Sequence, residues 1–357
     1  MQILADENIP YVREAFSRLG DVQTISGRAI APSDLAGVDV LLVRSVTQVD
    51  AALLTDTALR FVGSATSGVD HVDITLLDER GIAFSYAPGS NANSVAEYVV
   101  AALLVLEDRL GGLDGKSMGI VGGGHVGSRV RTTAKALGLR CIVHDPPLEE
   151  QGAPGPFATR QELLDCDIVT LHVPLTHSGP HPTHHLVDED FLGQMRTGAL
   201  LINTSRGAVV DGVALGRALE SGQLVVAVLD VWESEPDIDF DLLQRVSIGT
   251  PHIAGYSWDG KVNGTRQLYE ALCRFLGTEP GWTPPQDDES VPGDAPGAPN
   301  DFVREMYDIM RDDADLRVVT DLPDAERASA FDRLRKEYRV RREFRTREIR
   351  VAEKDRV

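Results

Sequence analysis

Residues 118–130 read MGIVGGGHVGSRV, and this stretch decides the fold. A short apolar strand runs directly into Gly122-x-Gly124-x-x-Gly127, and a helical pattern begins at once. In this context the first glycine permits a tight turn, the second lets the backbone approach a pyrophosphate, and the third lets the helix pack closely on the strand. The N-terminus of the helix adds a positive dipole that favours phosphate. The stretch therefore predicts a dinucleotide-binding turn at the edge of a parallel sheet.

The cofactor expected at this turn is NAD. The next strand, CIVHDPP, ends at Asp145, about twenty residues after the glycines. A carboxylate there accepts hydrogen bonds from the adenosine ribose and repels a 2′-phosphate, and the two prolines that follow offer no compensating charge. NAD is therefore predicted in preference to NADP, with His125 and Val126 of the turn among its contacts.

Two series of alternating strands and helices surround the turn. The first runs from MQILAD at residues 1–6 to IAFSYAP at residues 82–88, and the second runs from Lys116 to the PHI of residues 251–253. Strands rich in Val, Ile and Leu that alternate with helices are typical of parallel sheets. The predicted fold class is α/β, with two doubly wound parallel-sheet (Rossmann-like) domains.

The remaining segments predict the domain boundaries. Residues 91–112 read as one helix that is apolar nearly all round, so we expect it to be buried in a domain or subunit interface. A helical pattern after His252 could return the chain to the first domain, and residues 279–300 are dense in Pro, Gly and acidic residues, as in a linker. The predicted boundaries are 1–93 with 258–280, 94–257, a linker at 281–300, and a charged tail with helical patterns at 301–357.

The composition limits the partners. Lys and Arg total 35 against 55 Asp and Glu, so the formal net charge is -20, and neither a nucleic acid nor a membrane is expected as partner. No secretory signal is recognisable and no apolar run approaches the ~20 residues of a spanning helix, so a cytoplasmic protein is expected. Three widely spaced cysteines in apolar runs indicate buried thiols and no metal site.

Polar residues at the ends of the later strands suggest hydride transfer at a 2-hydroxy acid. That reaction needs a cation for the substrate carboxylate, a base with a pKa near neutrality, and a carboxylate that tunes the base. Arg206 suits the first role, His252 the second and Glu235 the third. Each alone has an ordinary structural explanation, but their joint position behind a dinucleotide turn favours catalysis.

With these motifs the chain resembles a known superfamily. GGGHVG, HDPP, NTSRGAVVD, LDVWESEP and PHIAG are similar to the D-isomer-specific 2-hydroxyacid dehydrogenases, over residues 1 to about 280. LADENIPYVREAFSRLG, FVGSATSGVDHVD, HIAGYSWDGK and the tail MYDIMRDDADLR resemble more narrowly the 4-phosphoerythronate dehydrogenase family of bacterial vitamin B6 synthesis, over nearly the entire chain. The resemblance implies a discontinuous substrate-binding domain, an NAD domain and a small C-terminal α+β dimerisation domain, so a homodimer is expected.

The resemblance also implies roles for single residues. Catalysis is implied for Arg206, Glu235 and His252. Substrate contacts are implied at Ser45, Thr66 and Tyr256. The implied NAD contacts are Asp145, Val173, Thr204, Ser205, Arg206, Asp230 and Gly255.

Two departures from the family pattern matter. The family usually has Thr where this chain has Val173, which lacks the hydroxyl but keeps its backbone groups available. The tail also stops early and its last stretch is basic and polar, so the dimerisation sheet is expected to be incomplete or altered.

The implied reaction is NAD-dependent oxidation of 4-phospho-D-erythronate to 2-oxo-3-hydroxy-4-phosphobutanoate, with His252 as proton acceptor. A small anionic phosphorylated sugar acid carries charge at both ends, so the site needs a cation besides Arg206. Arg44, beside Ser45 at a strand end, could supply it or could form a structural ion pair, and both interpretations stay open.

Two further questions stay open: the role of the tail arginines and the alternatives to the implied function. The tail arginines Arg339, Arg341 and Arg342 could reach the site of a partner subunit. The alternative functions are another D-2-hydroxyacid dehydrogenase, of the phosphoglycerate or hydroxypyruvate type, and a non-catalytic NAD-sensing interaction protein.

Overall fold

Both parallel sheets predicted from the sequence are present. The computed structural model describes residues 1–285, 303 and 306–344. Within these residues the chain forms two compact units, one of Met1–Asn91 with 257–285 and one of Ala92–Tyr256 with the described residues after 302. Each unit is built on one sheet of parallel strands, so the predicted α/β class with two Rossmann-like sheets is confirmed.

The first unit contains a five-stranded sheet with helices on both faces. Its strands are β1 Gln2–Asp6, β2 Asp21–Ile25, β3 Val40–Val43, β4 Phe61–Ser64 and β5 Ala83–Tyr86, in the order β2-β1-β3-β4-β5. Its helices are α1 Val12–Phe16, α2 Ile74–Glu79 and α10 Trp258–Leu276. Ile3 and Leu42 pack in one apolar cluster with α10, whereas Leu4 and Leu41 pack in the opposite one. Because both faces are covered, the strands read as continuous apolar runs.

The second unit contains a six-stranded sheet. Its strands are β6 Ser117–Val121, β7 Arg140–His144, β8 Ile168–Leu171, β9 Ala199–Asn203, β10 Leu224–Leu229 and β11 Ile248–Gly249, in the order β11-β10-β9-β8-β6-β7. Its helices up to residue 256 are α3 Ala92–Leu110, α4 His125–Ala136, α5 Pro146–Glu150, α6 Arg160–Leu164, α7 Glu189–Gln194, α8 Gly212–Glu220 and α9 Phe240–Arg245.

Each sheet reverses its strand order at one point, which is where doubly wound sheets bind ligands. In the first sheet this point lies between β1 and β3, and there Arg44 Nε donates to the buried Asp6 carboxylate at 3.0 Å. In the second sheet it lies between β6 and β8, and the glycine turn follows β6 directly. In the first sheet, the Asp6–Arg44 ion pair therefore lies where the strand order reverses. In the second sheet, the glycine turn lies at the corresponding position.

Most of helix α3 is buried within its own chain, although Val105 is exposed. Helix α4 packs along it, and Val303, Tyr307, Ile309 and Phe344 of the C-terminal region join the same apolar cluster. Because residues 91–112 are apolar nearly all round, this helix was expected in a domain or subunit interface. That reason no longer applies, since C-terminal residues of the same chain cover the helix.

The C-terminal region is helical where the structure describes it. Helices span Ile309–Val318 and Asp324–Lys336, and no strand occurs among the described residues from 306 to 344. Helical patterns were expected over residues 301–357, but the second of these helices ends at Lys336, and Arg341 donates to the Tyr256 carbonyl oxygen instead of continuing it. Most of the predicted linker, residues 286–300, lies outside the described residues, as do residues 345–357.

Two expectations from composition can be compared with the structure. Cys166 and Cys273 are buried and Cys141 is half-buried, and burial raises the pKa of Cys141 and Cys166 to about 11, as expected for inert thiols. None of the described helices has the length and apolar character needed to cross a bilayer.

The glycine turn yields a matched pair of substitutions. A Cβ at Gly127 would lie 1.9 Å from the Gly122 carbonyl oxygen, whereas a Cβ at Gly124 would have no neighbour within 4 Å. We expect Gly127→Ala to reduce the free energy of unfolding by ~3 kcal/mol or more. Gly124→Ala should unfold like the wild type but bind NAD more weakly. Urea unfolding measures the first effect, and equal midpoints for the two variants would contradict it.

Candidate active site

His252 lies on the loop that follows β11, at the carboxyl edge of the second sheet. Its backbone has φ 56°, a left-handed conformation that residues other than glycine rarely adopt. Its N–H donates to the Asp230 carbonyl oxygen at 2.7 Å, which ties the loop to the end of β10. Such a conformation persists only where the surroundings hold it, so the contacts of this loop decide where the imidazole lies.

The buried carboxylate of Asp230 holds that loop. Its Oδ1 accepts hydrogen bonds from the Thr250 hydroxyl at 2.7 Å and the Ile253 N–H at 2.8 Å, and its Oδ2 accepts one from the Ala254 N–H at 2.9 Å. Burial raises the pKa of Asp230, and the neighbouring His252 and these hydrogen bonds oppose that rise. The resemblance implied a contact with NAD, but both carboxylate oxygens bind the loop, so the geometry supports a positioning role.

The network continues to helix α3. Because Thr250 gives its hydrogen to Asp230, the Tyr98 hydroxyl must donate to Thr250 Oγ1, 2.7 Å away. Burial raises the pKa of Tyr98 well above its ordinary value, which keeps it a neutral donor. Ser94 of the same helix donates to the Ala254 carbonyl oxygen at 2.7 Å. The apolar helix therefore also carries the polar contacts that support the His252 loop.

His252 and Glu235 form a hydrogen-bonded pair. His252 Nδ1 lies 2.7 Å from Glu235 Oε2, and the Trp232 N–H donates to Glu235 Oε1 at 2.8 Å. Burial by itself would raise the pKa of Glu235, but His252, the Trp232 N–H and the charge of Arg335 together bring it below its ordinary value. An ionised Glu235 accepts from Nδ1–H and leaves Nε2 to exchange a proton with a substrate.

Arg206 follows β9 in a loop that packs on the Glu235 loop. Asn203 organises it, because its Oδ1 accepts from the Ser205 N–H at 3.0 Å and its Nδ2 donates to the Arg206 carbonyl oxygen at 2.9 Å. A Cβ at Gly207 would lie 1.9 Å from the Trp232 carbonyl carbon, so the two backbones touch. Glycine at this position thus lets the loops of Arg206 and Glu235 meet.

The glycine turn has the geometry that a dinucleotide requires. Gly122 has φ 92°, and a Cβ on it would lie 2.4 Å from the His172 carbonyl oxygen and 3.0 Å from Val173 Cγ1. Gly124, at the N-terminus of α4, faces open space and has no side chain to cap the helix. His125 is exposed and Val126 is half-buried. Free N–H groups at the end of a helix beside open space fit the pyrophosphate of NAD.

Asp145 lies at the end of β7, beside the glycine turn. Its Oδ2 accepts from the Gly123 N–H at 2.7 Å, and its Oδ1 accepts from the Leu148 N–H at 3.0 Å and so caps α5. Each carboxylate oxygen has a second lone pair, which keeps the carboxylate able to accept from ribose hydroxyls. The predicted charge is therefore in place, although the residue also has a structural role that the sequence did not suggest.

His172 was not among the site residues expected from the sequence. It lies between the ends of two strands, β8 and β9. Its Nε2 is 2.9 Å from Thr170 Oγ1 and its Nδ1 is 3.3 Å from Thr204 Oγ1. Loss of hydration lowers the pKa of His172 to about 3, so the imidazole is neutral and links Thr204 to β8. A histidine directly after a buried strand was the signal that could have indicated it.

The predicted substrate residue Thr66 stands in a directed chain of hydrogen bonds in the first unit. Its hydroxyl donates to the Gly68 carbonyl oxygen at 2.8 Å, which can only accept. Ser64, 2.6 Å away, must then donate to Thr66, and His71 Nε2 must donate to Ser64 Oγ at 2.8 Å. Thr66 consequently has a lone pair, and no hydrogen, to offer to a ligand.

The other predicted substrate residues are placed as follows. Ser45 is exposed at the end of β3, next to Arg44, whose ion pair with Asp6 confirms the structural interpretation of that arginine without excluding the other. Gly255 and Tyr256 are half-buried directly after the His252 loop, and the Tyr256 N–H donates to the Ile253 carbonyl oxygen at 2.8 Å.

Comparisons with known proteins agree with this geometry. A family model described as "D-isomer specific 2-hydroxyacid dehydrogenase, NAD binding domain" matches residues 106–254, and one described as a domain of unknown function (DUF3410) matches residues 297–357. The erythronate-4-phosphate dehydrogenase of Salinibacter ruber is 50% identical over 96% of this chain and 92% of its own length. That of Cronobacter sakazakii is 48% identical over the same shares.

The chain belongs to the erythronate-4-phosphate dehydrogenase family. Among solved structures, D-lactate dehydrogenase from Aquifex aeolicus, complexed with NAD and lactic acid, is similar with a TM-score of 0.63 and 25% identity. The match covers 78% of this chain and 96% of that one. The narrower resemblance read from the sequence is therefore confirmed, since 4-phosphoerythronate is the same compound, and so is NAD as the cofactor.

Cofactor choice gives the second prediction. Asp145→Asn keeps the acceptor that caps α5 but removes the charge that repels a 2′-phosphate, and it puts an amide donor in place of the oxygen that accepts from the Gly123 N–H. We expect kcat/KM with NAD to fall about tenfold and discrimination against NADP to shrink by a similar factor, with a lower unfolding midpoint because the Gly123 N–H loses its acceptor. Steady-state kinetics with each cofactor measure this. A wild type that already uses NADP as well as NAD would contradict the role of Asp145.

Proposed function

We propose that this chain oxidises erythronate 4-phosphate to 2-oxo-3-hydroxy-4-phosphobutanoate with NAD, a step of pyridoxal 5′-phosphate synthesis. The observation that carries the proposal is the Glu235–His252 pair, held on a strained loop of the same sheet that bears the glycine turn. The family of the chain supplies the substrate, because its relatives are named for that compound.

The cofactor has a defined place in the second unit. The N–H groups after Gly122 at the start of α4 would hold its pyrophosphate, Asp145 its adenosine ribose, and Val173 and the Thr204–Arg206 loop would line the rest. When bound, NAD accepts the hydride that leaves C2 of the substrate. Because Val173 has no side-chain hydroxyl, only its backbone N–H and carbonyl groups could form hydrogen bonds with NAD.

His252 would take the proton of the C2 hydroxyl on Nε2. Its Nδ1 is engaged by Glu235, so the tautomer is fixed and the positive charge that forms on the ring is stabilised. The Trp232 N–H holds the other oxygen of Glu235 and so fixes the carboxylate. As pH falls and Glu235 becomes protonated, this stabilisation is lost and turnover should decrease.

Arg206 would grip the substrate carboxylate through its guanidinium fork. Its Nη1 donates to the Ser205 carbonyl oxygen at 2.7 Å, which sets the direction of the side chain. Arg44 is proposed as a second cation for the phosphate group, in addition to its ion pair with Asp6. Ser45 and Tyr256 are proposed as further contacts of the substrate.

Thr66 would recognise a hydroxyl group. Because its hydrogen is committed to Gly68, it can accept from the substrate but cannot donate to a carboxylate or phosphate. The C2 and C3 hydroxyls of erythronate 4-phosphate are suitable donors. This feature favours a polyhydroxylated acid over a substrate that lacks the second hydroxyl.

A panel of acids with NAD, followed at the nicotinamide absorbance, tests the function. It should contain erythronate 4-phosphate, erythronate, 3-phosphoglycerate and 2-hydroxy-4-phosphobutanoate. We expect the highest kcat/KM with the first and a loss of roughly tenfold or more with the last, which lacks the C3 hydroxyl. Preference for 3-phosphoglycerate would assign the chain to the phosphoglycerate type, and no turnover with any acid would favour an NAD-sensing protein.

His252→Gln is expected to lower kcat by about 10²–10⁴-fold while the Kd for NAD changes little, because the imidazole handles the substrate proton and does not hold the cofactor. His177→Gln is the matched control, since His177 is an exposed histidine of the same unit. Kinetics and NAD titration by fluorescence give both quantities. Wild-type rates in His252→Gln would exclude the proposed base.

We also propose that the chain is a cytoplasmic homodimer. The C-terminal region leaves Met310, Val318 and Val340 exposed, and these apolar side chains are the proposed contacts. Closed two-fold symmetry is the commonest arrangement for a self-complementary surface.

Light scattering at micromolar concentration should give twice the 38.7 kDa mass of the chain. Val318→Glu, on an exposed position, should shift the protein toward monomer, because it places a charge in an apolar contact. Val213→Glu is the control, because Val213 is equally exposed but belongs to α8. A monomeric wild type would exclude the dimer.

A further inference from the structure

The C-terminal region contacts the catalytic loop of its own chain. Arg341 Nε donates to the Tyr256 carbonyl oxygen at 3.2 Å, and its Nη2 donates to the Ala254 carbonyl oxygen at 2.8 Å and to the Ser94 hydroxyl. Its guanidinium lies over the Tyr307 ring, 4.2 Å from the centroid. From the sequence, Arg341 could reach the site of a partner subunit. In the structure, Arg341 instead forms hydrogen bonds with the loop after His252 in its own chain.

A second arginine, Arg335, comes from the helix Asp324–Lys336. Its Nη2 lies 3.5 Å from the Tyr256 hydroxyl, and its Nη1 lies 3.8 Å from Asp332 on the same helix. Its Nε is buried and has no hydrogen-bond partner within the described part of the chain. Arg335 is half-buried, and an enclosed Nε without a hydrogen-bond partner lowers stability, so the contacts of this guanidinium point to an electrostatic function.

The electrostatic neighbour of Arg335 is the catalytic carboxylate. Its charge is one of the influences that lower the pKa of Glu235, together with His252 and the Trp232 N–H. In turn Tyr256, Glu235 and Asp332 outweigh the burial of Arg335 and raise its pKa. Asp230, which interacts electrostatically with His252, is a further ionisable group beside the pair.

We propose that Arg335 is a positioning residue, through which the C-terminal region of the chain holds Tyr256 in place and supplies a positive charge to the Glu235–His252 pair. This gives a role in the active site to a domain whose family model is described as of unknown function. The kinetic test of this inference rests on the proposed function, because it needs turnover of erythronate 4-phosphate. The titration test does not, because it uses no substrate.

The sign of the expected pH effect follows from the charges. Removal of a positive charge near Glu235 makes its ionisation harder, so the protonated form persists to higher pH. Arg335→Met should therefore move the acid limb of kcat/KM to higher pH. The loss of its contact with the Tyr256 hydroxyl should also lower kcat several-fold near neutrality. NAD affinity should stay within about twofold, because the contacts described for Arg335 are with Tyr256 and Asp332 and lie outside the glycine turn.

The experiment compares Arg335→Met, Arg335→Lys and Arg333→Met in the full-length protein. Arg335→Lys retains the charge and should restore most of the wild-type pH profile, which a purely structural role for the guanidinium would not predict. Arg333 is exposed on the same helix, so Arg333→Met controls for charge removal at a distance. Thermal unfolding of each variant shows whether the fold is kept.

A titration without substrate separates the two proposals. Histidine resonances of ¹⁵N-labelled protein report the joint titration of the Glu235–His252 pair, which should move to higher pH in Arg335→Met and not in Arg333→Met. An unchanged titration and pH profile in a folded Arg335→Met would overturn the inference.

If the wild type fails to oxidise erythronate 4-phosphate but its titration responds to Arg335→Met, the proposed function is wrong and the positioning role stands. If Arg335→Met does not fold, loss of the pH profile in Arg335→Lys overturns the role of the charge.

Discussion

The buried carboxylate of Asp230 is the interaction on which the catalytic geometry depends. It accepts two backbone N–H groups and one hydroxyl from the segment Thr250–Ala254, and its own carbonyl oxygen accepts from the His252 N–H. Hydrogen bonds to a charged group are worth about 1.5–3 kcal/mol each, enough together to hold the left-handed backbone of His252, which costs of order 1–3 kcal/mol. The imidazole therefore meets Glu235 without rearrangement.

The two sheets show how one architecture serves different purposes. Both reverse their strand order in the same way, and both are covered on two faces by apolar clusters in their own units. At the point of reversal the first sheet has the Asp6–Arg44 ion pair, which fixes the ends of β1 and β3. The second has Gly122, where even a methyl group would collide with the His172 carbonyl oxygen. Glycine at this position lets the turn pass close to the His172 carbonyl oxygen, and α4 begins directly after it without a side-chain cap.

The C-terminal region, residues 303–344 where they are described, packs on helix α3 of the second unit. Its apolar residues complete the burial of that helix, and Arg341 joins Ser94 of the helix to the carbonyl oxygens of Ala254 and Tyr256. Asp313 adds a further link, since it accepts from the Gly249 N–H at 2.7 Å at the end of β11. The loop that carries His252 is thus supported by Asp230 on one side and by the C-terminal region on the other.

The sequence by itself determined the two parallel sheets and the glycine turn, and it singled out Arg206, Glu235 and His252 as candidates, because these signals are local: apolar runs, glycine spacing and polar residues at strand ends. The predicted roles of single residues toward substrate and NAD remain predictions. Only the tertiary structure decided that Asp230 holds a loop, that His71 directs Thr66, and that Arg335 and Arg341 contact Tyr256, after the His252 loop. The physical reason is separation along the chain: Arg335 and Arg341 lie 79 and 85 positions from Tyr256, and no periodicity or spacing records which distant groups will share a buried charge.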